Sequence, residues 1–131
     1  MAVAACEVRV RYAETDKMGV AYYANYFVWF EVGRCELLRT LGGSYSQLEE
    51  TGLMLPVIEA HCEYRMPARY DDALTIKTEG SLKSRARVTF SYEVTRQTTN
   101  DLLASGTTVH AATDPRGRPQ RVPPTLQALL A

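Results

Sequence analysis

Histidine occurs twice in the 131 residues, at 61 and 110, and nowhere in the first sixty. The two are isolated on segments that read as strands and offer no pair at metal-ligand spacing, so each is expected to be a satisfied structural histidine. A G-x-S-x-G elbow, a P-loop and a G-x-G-x-x-G turn are all missing, which removes the common signatures of serine hydrolases and of nucleotide binding. Cysteine is scarce: Cys6, Cys35 and Cys62 form an odd set without C-x-x-C spacing, each on an apolar phase of its segment. They read as buried free thiols in a reducing compartment. Neither sign of charge dominates, with 15 basic and 15 acidic side chains, so nothing argues for nucleic acid or a membrane surface. No run of eighteen apolar residues occurs, and the start, M-A-V-A-A-C-E-V, lacks a basic segment followed by a long apolar one. The expectation is a cytoplasmic protein without a membrane span, whose partners are small molecules or proteins.

What is present centres on residues 12–41. The length predicts a single domain over residues 1–131, able to bury roughly two-thirds of its unfolded surface. From about residue 22 to residue 41 there is no proline, and Phe27, Phe30, Leu37, Leu38 and Leu41 recur at spacings of three, four and seven. That period predicts a helix of about twenty residues and about 30 Å. Tyr26, Val28, Trp29 and Val32 add apolar groups around it, as expected of a helix buried on most sides. Gly33, inside the helix, marks a close approach to a strand or a partner helix. Leu41-Gly42-Gly43 would close it, and Ser44 with Gln47 suggests a capped turn after it.

The remainder alternates with period two. Residues 6–12 set Cys6, Val8, Val10 and Tyr12 against Glu7, Arg9 and Arg11; Ile58, Ala60, Cys62, Tyr64 and Met66 form a second face; Leu74, Ile76, Thr78 and Leu82 a third. Val88, Phe90, Tyr92 and Val94 make the clearest strand, and residues 102–113 a fifth of ambiguous phase before a weak helical tail. One strand, a helix and four strands joined by short turns predict an α+β fold with an antiparallel sheet and its helix on one face. One helix cannot cover five strands twice over, so the sheet is expected to continue into or pack on another subunit.

The loop Glu14-Thr15-Asp16-Lys17-Met18-Gly19 precedes the helix directly. An aspartate there is ordinarily a turn or cap residue, and Glu14 with Asp16 could form an acid-base pair. A third reading joins Asp16 to the first N–H groups of the helix, near Tyr22 to Asn25, which lack intrahelical partners and can hold an oxyanion. A carboxylate and a helix terminus without histidine form a weak kit for an amide. They suit a thioester, because a thiol of pKa about 8.5 leaves without a proton donor.

The run V-R-Y-A-E-T-D-K-M-G-V-A-Y-Y-A-N-Y-F-V-W-F-E-V-G-R resembles the signature of the hotdog-fold acyl-CoA thioesterases of the 4-hydroxybenzoyl-CoA thioesterase type, especially their YbgC-like branch. The likeness extends through the strand order and the M-P-A-R-Y-D-D turn. It implies a hotdog fold, a five-stranded antiparallel sheet wrapped around one long central helix, in homodimers and often homotetramers with the active site between subunits. It implies hydrolysis of an acyl-CoA or acyl carrier protein thioester without a cofactor, coenzyme A being part of the substrate, and without a metal. The catalytic carboxylate falls on Asp16, as nucleophile or general base, and the carbonyl-polarising backbone N–H on Tyr23. Tyr12, Gly19, Asn25 and Tyr26 match pocket positions. The basic cluster that holds the nucleotide phosphates matches Ser81-Leu82-Lys83, with Arg85 and Arg87 nearby. Where many YbgC-like members carry histidine, this chain carries Tyr23. Two alternatives stand beside this reading: a hotdog dehydratase, which needs a histidine near the helix, and a module that binds acyl-CoA or a protein without turnover.

Overall fold

The computed structural model describes residues 1–41 and 50–131. The expected glycine stop at Gly42-Gly43 and the capped turn at Ser44 fall outside them. Five strands, β1 (Ala2–Arg9), β2 (Val57–Tyr64), β3 (Ala73–Ser84), β4 (Arg87–Arg96) and β5 (Leu102–Ala111), form one antiparallel sheet. Its order is β1-β3-β4-β5-β2. A 16-residue helix, α1 (Asn25–Thr40), lies against one face, and a short helix, α2 (Pro124–Leu130), packs on β3. Among the described residues no helix is long and apolar enough to cross a membrane.

The alternation in β3 and β4 is realised except at Leu82, which is half-buried near the end of β3. Leu74, Ile76, Val88, Phe90, Tyr92 and Val94 are fully buried, facing Trp29, Phe30, Leu37 and Leu38 of α1. Phe30 stacks flat on Tyr92, with ring centres 4.3 Å apart. A methyl added at Gly33 would run into Thr78 Oγ1 and Ile76 Cγ2 of β3. The predicted close approach is therefore between the helix and a strand, where only glycine leaves room for the backbone.

Five expectations are corrected. The helix begins at Asn25 rather than near residue 22, about 24 Å at 1.5 Å per residue, because Val20 and Ala21 are drawn into bridges with Arg69 and Thr15. β1 ends at Arg9, earlier than predicted, since Val10 exchanges bonds with Asp71 and Asp72 instead of β3. The second alternating run is exposed along nearly all of β2, Cys62 excepted, because β2 is an outer strand and α1 lies chiefly over β1, β3 and β4. For the same reason Val28 and Val32 are exposed on the outer side of α1. The three cysteines are free as expected but half-buried rather than buried, and burial raises each thiol above its usual pKa.

The two histidines divide. His110 is fully buried and satisfied, with Nδ1 2.8 Å from Leu55 O and Nε2 2.8 Å from Thr108 Oγ1. Thr108 Oγ1 in turn lies 2.6 Å from Tyr92 OH. Burial lowers the His110 pKa to about 4. His61 is instead exposed on β2, 3.6 Å from Glu63.

Candidate active site

The site is assembled by Glu14. Just past β1 the chain makes one 3-10 turn, Tyr12–Glu14, which turns the Glu14 side chain inward to 5% exposure. Its Oε1 accepts Arg11 N–H at 2.8 Å and its Oε2 accepts Trp29 Nε1–H at 3.1 Å. Its backbone carbonyl accepts Tyr22 N–H at 2.7 Å and Asn25 Nδ2–H at 2.9 Å. Glu14 therefore serves the loop's architecture and is not half of an acid-base pair with Asp16, because both its oxygens already accept hydrogen bonds, one from the buried indole of Trp29.

Beyond Glu14 the chain forms a tight reversal. Asp16 N–H donates to Val20 O at 3.0 Å and Gly19 N–H to Asp16 O at 3.0 Å. Gly19 sits at φ +79°, a left-handed conformation that glycine adopts without cost. Ala21 N–H donates to Ala68 O at 2.8 Å, tying the reversal to the segment after β2. Asp16 is thus held by its own backbone on both sides, half-buried. Its Oδ1 accepts Met18 N–H at 2.9 Å, so the ordinary turn role is present. That bond occupies one oxygen only. The residue also lines a cavity of about 310 Å³ with Tyr23, Tyr26, Tyr64, Met66 and Pro67.

The helix start supplies the second group. Ala24 caps α1 without a side-chain bond. Of the four N–H groups expected to be open, Tyr22 donates to Glu14 O, Asn25 to Tyr22 O at 2.9 Å, and neither is available. Tyr23 N–H and Ala24 N–H have no protein acceptor among the described residues, and they carry the partial positive charge of the helix terminus. The Tyr22 phenol is held above its usual pKa by the Tyr23 hydroxyl and, to a smaller degree, by the charge of Asp16. Asp16 and Tyr23 line the same cavity.

The other matched positions separate into those the fold gathers and those it does not. Tyr26 is buried, its hydroxyl accepts Ala68 N–H at 3.1 Å, and its ring forms part of the cavity wall. Asn25 acts through its side chain on Glu14 O, and Gly19 through its backbone conformation. Tyr12 is 76% exposed, edge-on to Tyr70 and outside the cavity lining. Lys83 and Arg85 lie at the other end of the sheet. Arg9, just before the site, pairs with Ala73 at the near end of β3, and ten strand residues at about 3.3 Å place Lys83 roughly 33 Å away. One chain does not bring these cations to Asp16.

One residue of the cavity wall escaped sequence reasoning. Tyr64 reads as one more residue of an alternating strand, yet it reaches the turn: its hydroxyl donates to Tyr23 O at 2.9 Å. The only signal available was its place three residues ahead of the Pro67 turn.

A helix on a five-stranded antiparallel sheet, an aspartate loop running into the helix start and two open N–H groups there define a protein of the hotdog thioesterase class. The chain belongs to the Thioesterase-like superfamily, whose family model matches residues 10–130. It is similar to YneP of Bacillus subtilis (strain 168), 45% identical over 78 residues, or 60% of this chain and 56% of that protein. The match to YneP thus spans little more than half of that relative. It is also similar to the acyl-CoA thioesterase YbgC of Haemophilus influenzae, 39% identical over 106 residues, or 80% of this chain and 76% of that one. The crystal structure of a hypothetical protein from Aquifex aeolicus superposes with a TM-score of 0.90 at 32% identity, covering 98% of this chain and 99% of that one.

Proposed function

We propose that the protein hydrolyses an acyl-CoA thioester, or an acyl carrier protein thioester, with Asp16 as its catalytic carboxylate and the N–H groups of Tyr23 and Ala24 holding the carbonyl oxygen. The observation that carries this reading is that Asp16 and Tyr23 line one cavity, while the N–H groups of Tyr23 and of its neighbour Ala24 have no protein acceptor among the described residues. The name of the YbgC relative supports the acyl-CoA class.

Two routes use the same groups. Asp16 takes a proton from water, and the hydroxide attacks the thioester carbon; or a carboxylate oxygen attacks directly, forms a mixed anhydride and is released by water. In both, the carbonyl π electrons move to oxygen, where the backbone donors stabilise them, then return to expel the thiolate. No histidine is needed, because the thiolate leaves unprotonated.

The working form proposed is a homodimer, able to associate further into a homotetramer, in the cytoplasm. β2 leaves its outer edge open, and Val57, Ile58 and Met66 are exposed at or just beyond it, with Val28 and Val32 exposed on α1; such surfaces favour pairing with a second copy. A second copy also offers a route for Lys83 and Arg85 to reach the nucleotide phosphates, which they cannot do within one chain. Release of free thiol from a panel of acyl-CoAs, together with sedimentation of the purified protein, tests the proposal. Turnover of at least one thioester by a dimer or tetramer is expected. Stoichiometric binding without thiol release would instead support a binding module.

A further inference from the structure

We propose that Tyr64, reaching in from the edge strand β2, is a positioning residue for the oxyanion donors: its hydroxyl holds the Tyr23 carbonyl and so orients the peptide unit that presents Ala24 N–H. The inference rests on the reading of Asp16 and the helix start given above, and deepens it.

The Tyr64 hydroxyl donates to Tyr23 O at 2.9 Å. That carbonyl and Ala24 N–H are the two ends of one planar peptide group, so fixing one fixes the other. The only other donor to Tyr23 O among the described residues is Tyr26 N–H, at 3.3 Å, a long contact for an amide. The phenol is therefore the shorter restraint on a peptide that precedes the first helical residue and has no side-chain cap.

The restraint is itself braced. The Tyr64 ring stands edge-on to Tyr26 with centres 4.9 Å apart, and edge-on to Tyr23 at 6.4 Å. Tyr64 is half-exposed at the edge of the sheet; partial desolvation, and then the neighbouring Cys62, hold its pKa above the ordinary phenol value of about 10, so the hydroxyl keeps its proton and remains a donor throughout the neutral range. A hydrogen bond accepted at the carbonyl also polarises the amide and strengthens its N–H as a donor. Tyr64 touches neither the reacting carbon nor the attacking oxygen; it acts through the 23–24 peptide.

The test is Tyr64→Phe in the full chain, assayed by thiol release on an acyl-CoA that the parent protein turns over, beside Asp16→Asn. The phenyl ring keeps both edge contacts. Loss of one hydrogen bond that matters to the reaction is expected to lower kcat by about tenfold, with KM and the thermal midpoint unchanged. An unchanged kcat overturns the inference. A raised KM with kcat intact also overturns it, since Tyr64 would then only wall the cavity, as does a kcat loss that merely follows a fall in folded protein. Tyr64→Ala, which removes the ring as well, is expected to raise KM in addition to lowering kcat. Normal turnover in Asp16→Asn would overturn the reading of the site, whereas failure of the Tyr64 variants alone leaves it standing.

Discussion

The Glu14 carboxylate accepts the indole N–H of Trp29 at 3.1 Å, fastening the loop that carries Asp16 to the second turn of α1. The same side chain accepts Arg11 N–H at 2.8 Å. With Glu14 almost wholly inside, these two bonds set the angle at which the Asp16 loop meets the helix.

Glu14→Gln is predicted to be destabilising despite its shape. Both carboxylate oxygens face donors, and an amide offers one oxygen, so its NH₂ group would confront a second N–H. The expected cost is about 1–3 kcal/mol, and more for Glu14→Ala, which orphans both donors. Chemical denaturation measures it, and an unchanged midpoint in both variants would show that the loop is held otherwise.

Asp16→Asn separates the turn role from the chemical one. Asparagine retains the oxygen that accepts Met18 N–H, and the backbone bonds to Val20 and Gly19 do not involve the side chain. Stability and oligomeric state should be preserved while kcat falls by about 10²–10⁴, read by thiol release and thermal melting.

Gly33→Ala places a methyl against Thr78 Oγ1 and Ile76 Cγ2. Neither partner is a flexible end, so α1 must move off β3, at a cost of about 1–3 kcal/mol. A thermal midpoint equal to the parent's would contradict the packing described.

His110 makes stability depend on pH. Its folded pKa is lowered to about 4 from 6.5, so between these values the unfolded chain binds a proton that the native chain does not. Its contribution is complete above pH 6.5 and is lost progressively as pH falls toward 4. Melting curves across this window should show the decline, and His110→Gln, which cannot titrate, should show a shallower one.

Lys83→Ala combined with Arg85→Ala is predicted to raise KM for an acyl-CoA with little effect on kcat, provided a second copy brings these cations to the nucleotide. A pantetheine thioester of the same acid, which lacks the nucleotide phosphates, should be turned over equally by parent and variant. Equal KM values for the acyl-CoA would remove these residues from phosphate binding.

The strands and the helix were legible because their signal is local. Val88, Phe90, Tyr92 and Val94 alternate whatever they pair with, and Phe30, Leu37 and Leu38 share a helical face before any strand meets it. The loop carrying Asp16 was legible as well, since glycine, aspartate and an incipient helix lie together in the chain. The start of the helix was not: the donors of Tyr22 and Asn25 are taken by Glu14 O and Tyr22 O, and that outcome depends on how the preceding loop folds back.

By itself the sequence determined which residues alternate, which stretch coils and which carboxylate stands before the helix, because those properties depend on near neighbours. Tertiary structure alone decided that the N–H groups of Tyr23 and Ala24 find no acceptor among the described residues, that the Tyr64 hydroxyl reaches the Tyr23 carbonyl from a strand some forty residues downstream, and that Lys83 and Arg85 stand at the far end of the sheet. Each of these follows from strand order and register, which are settled by the summed burial of the whole core and not by any local pattern.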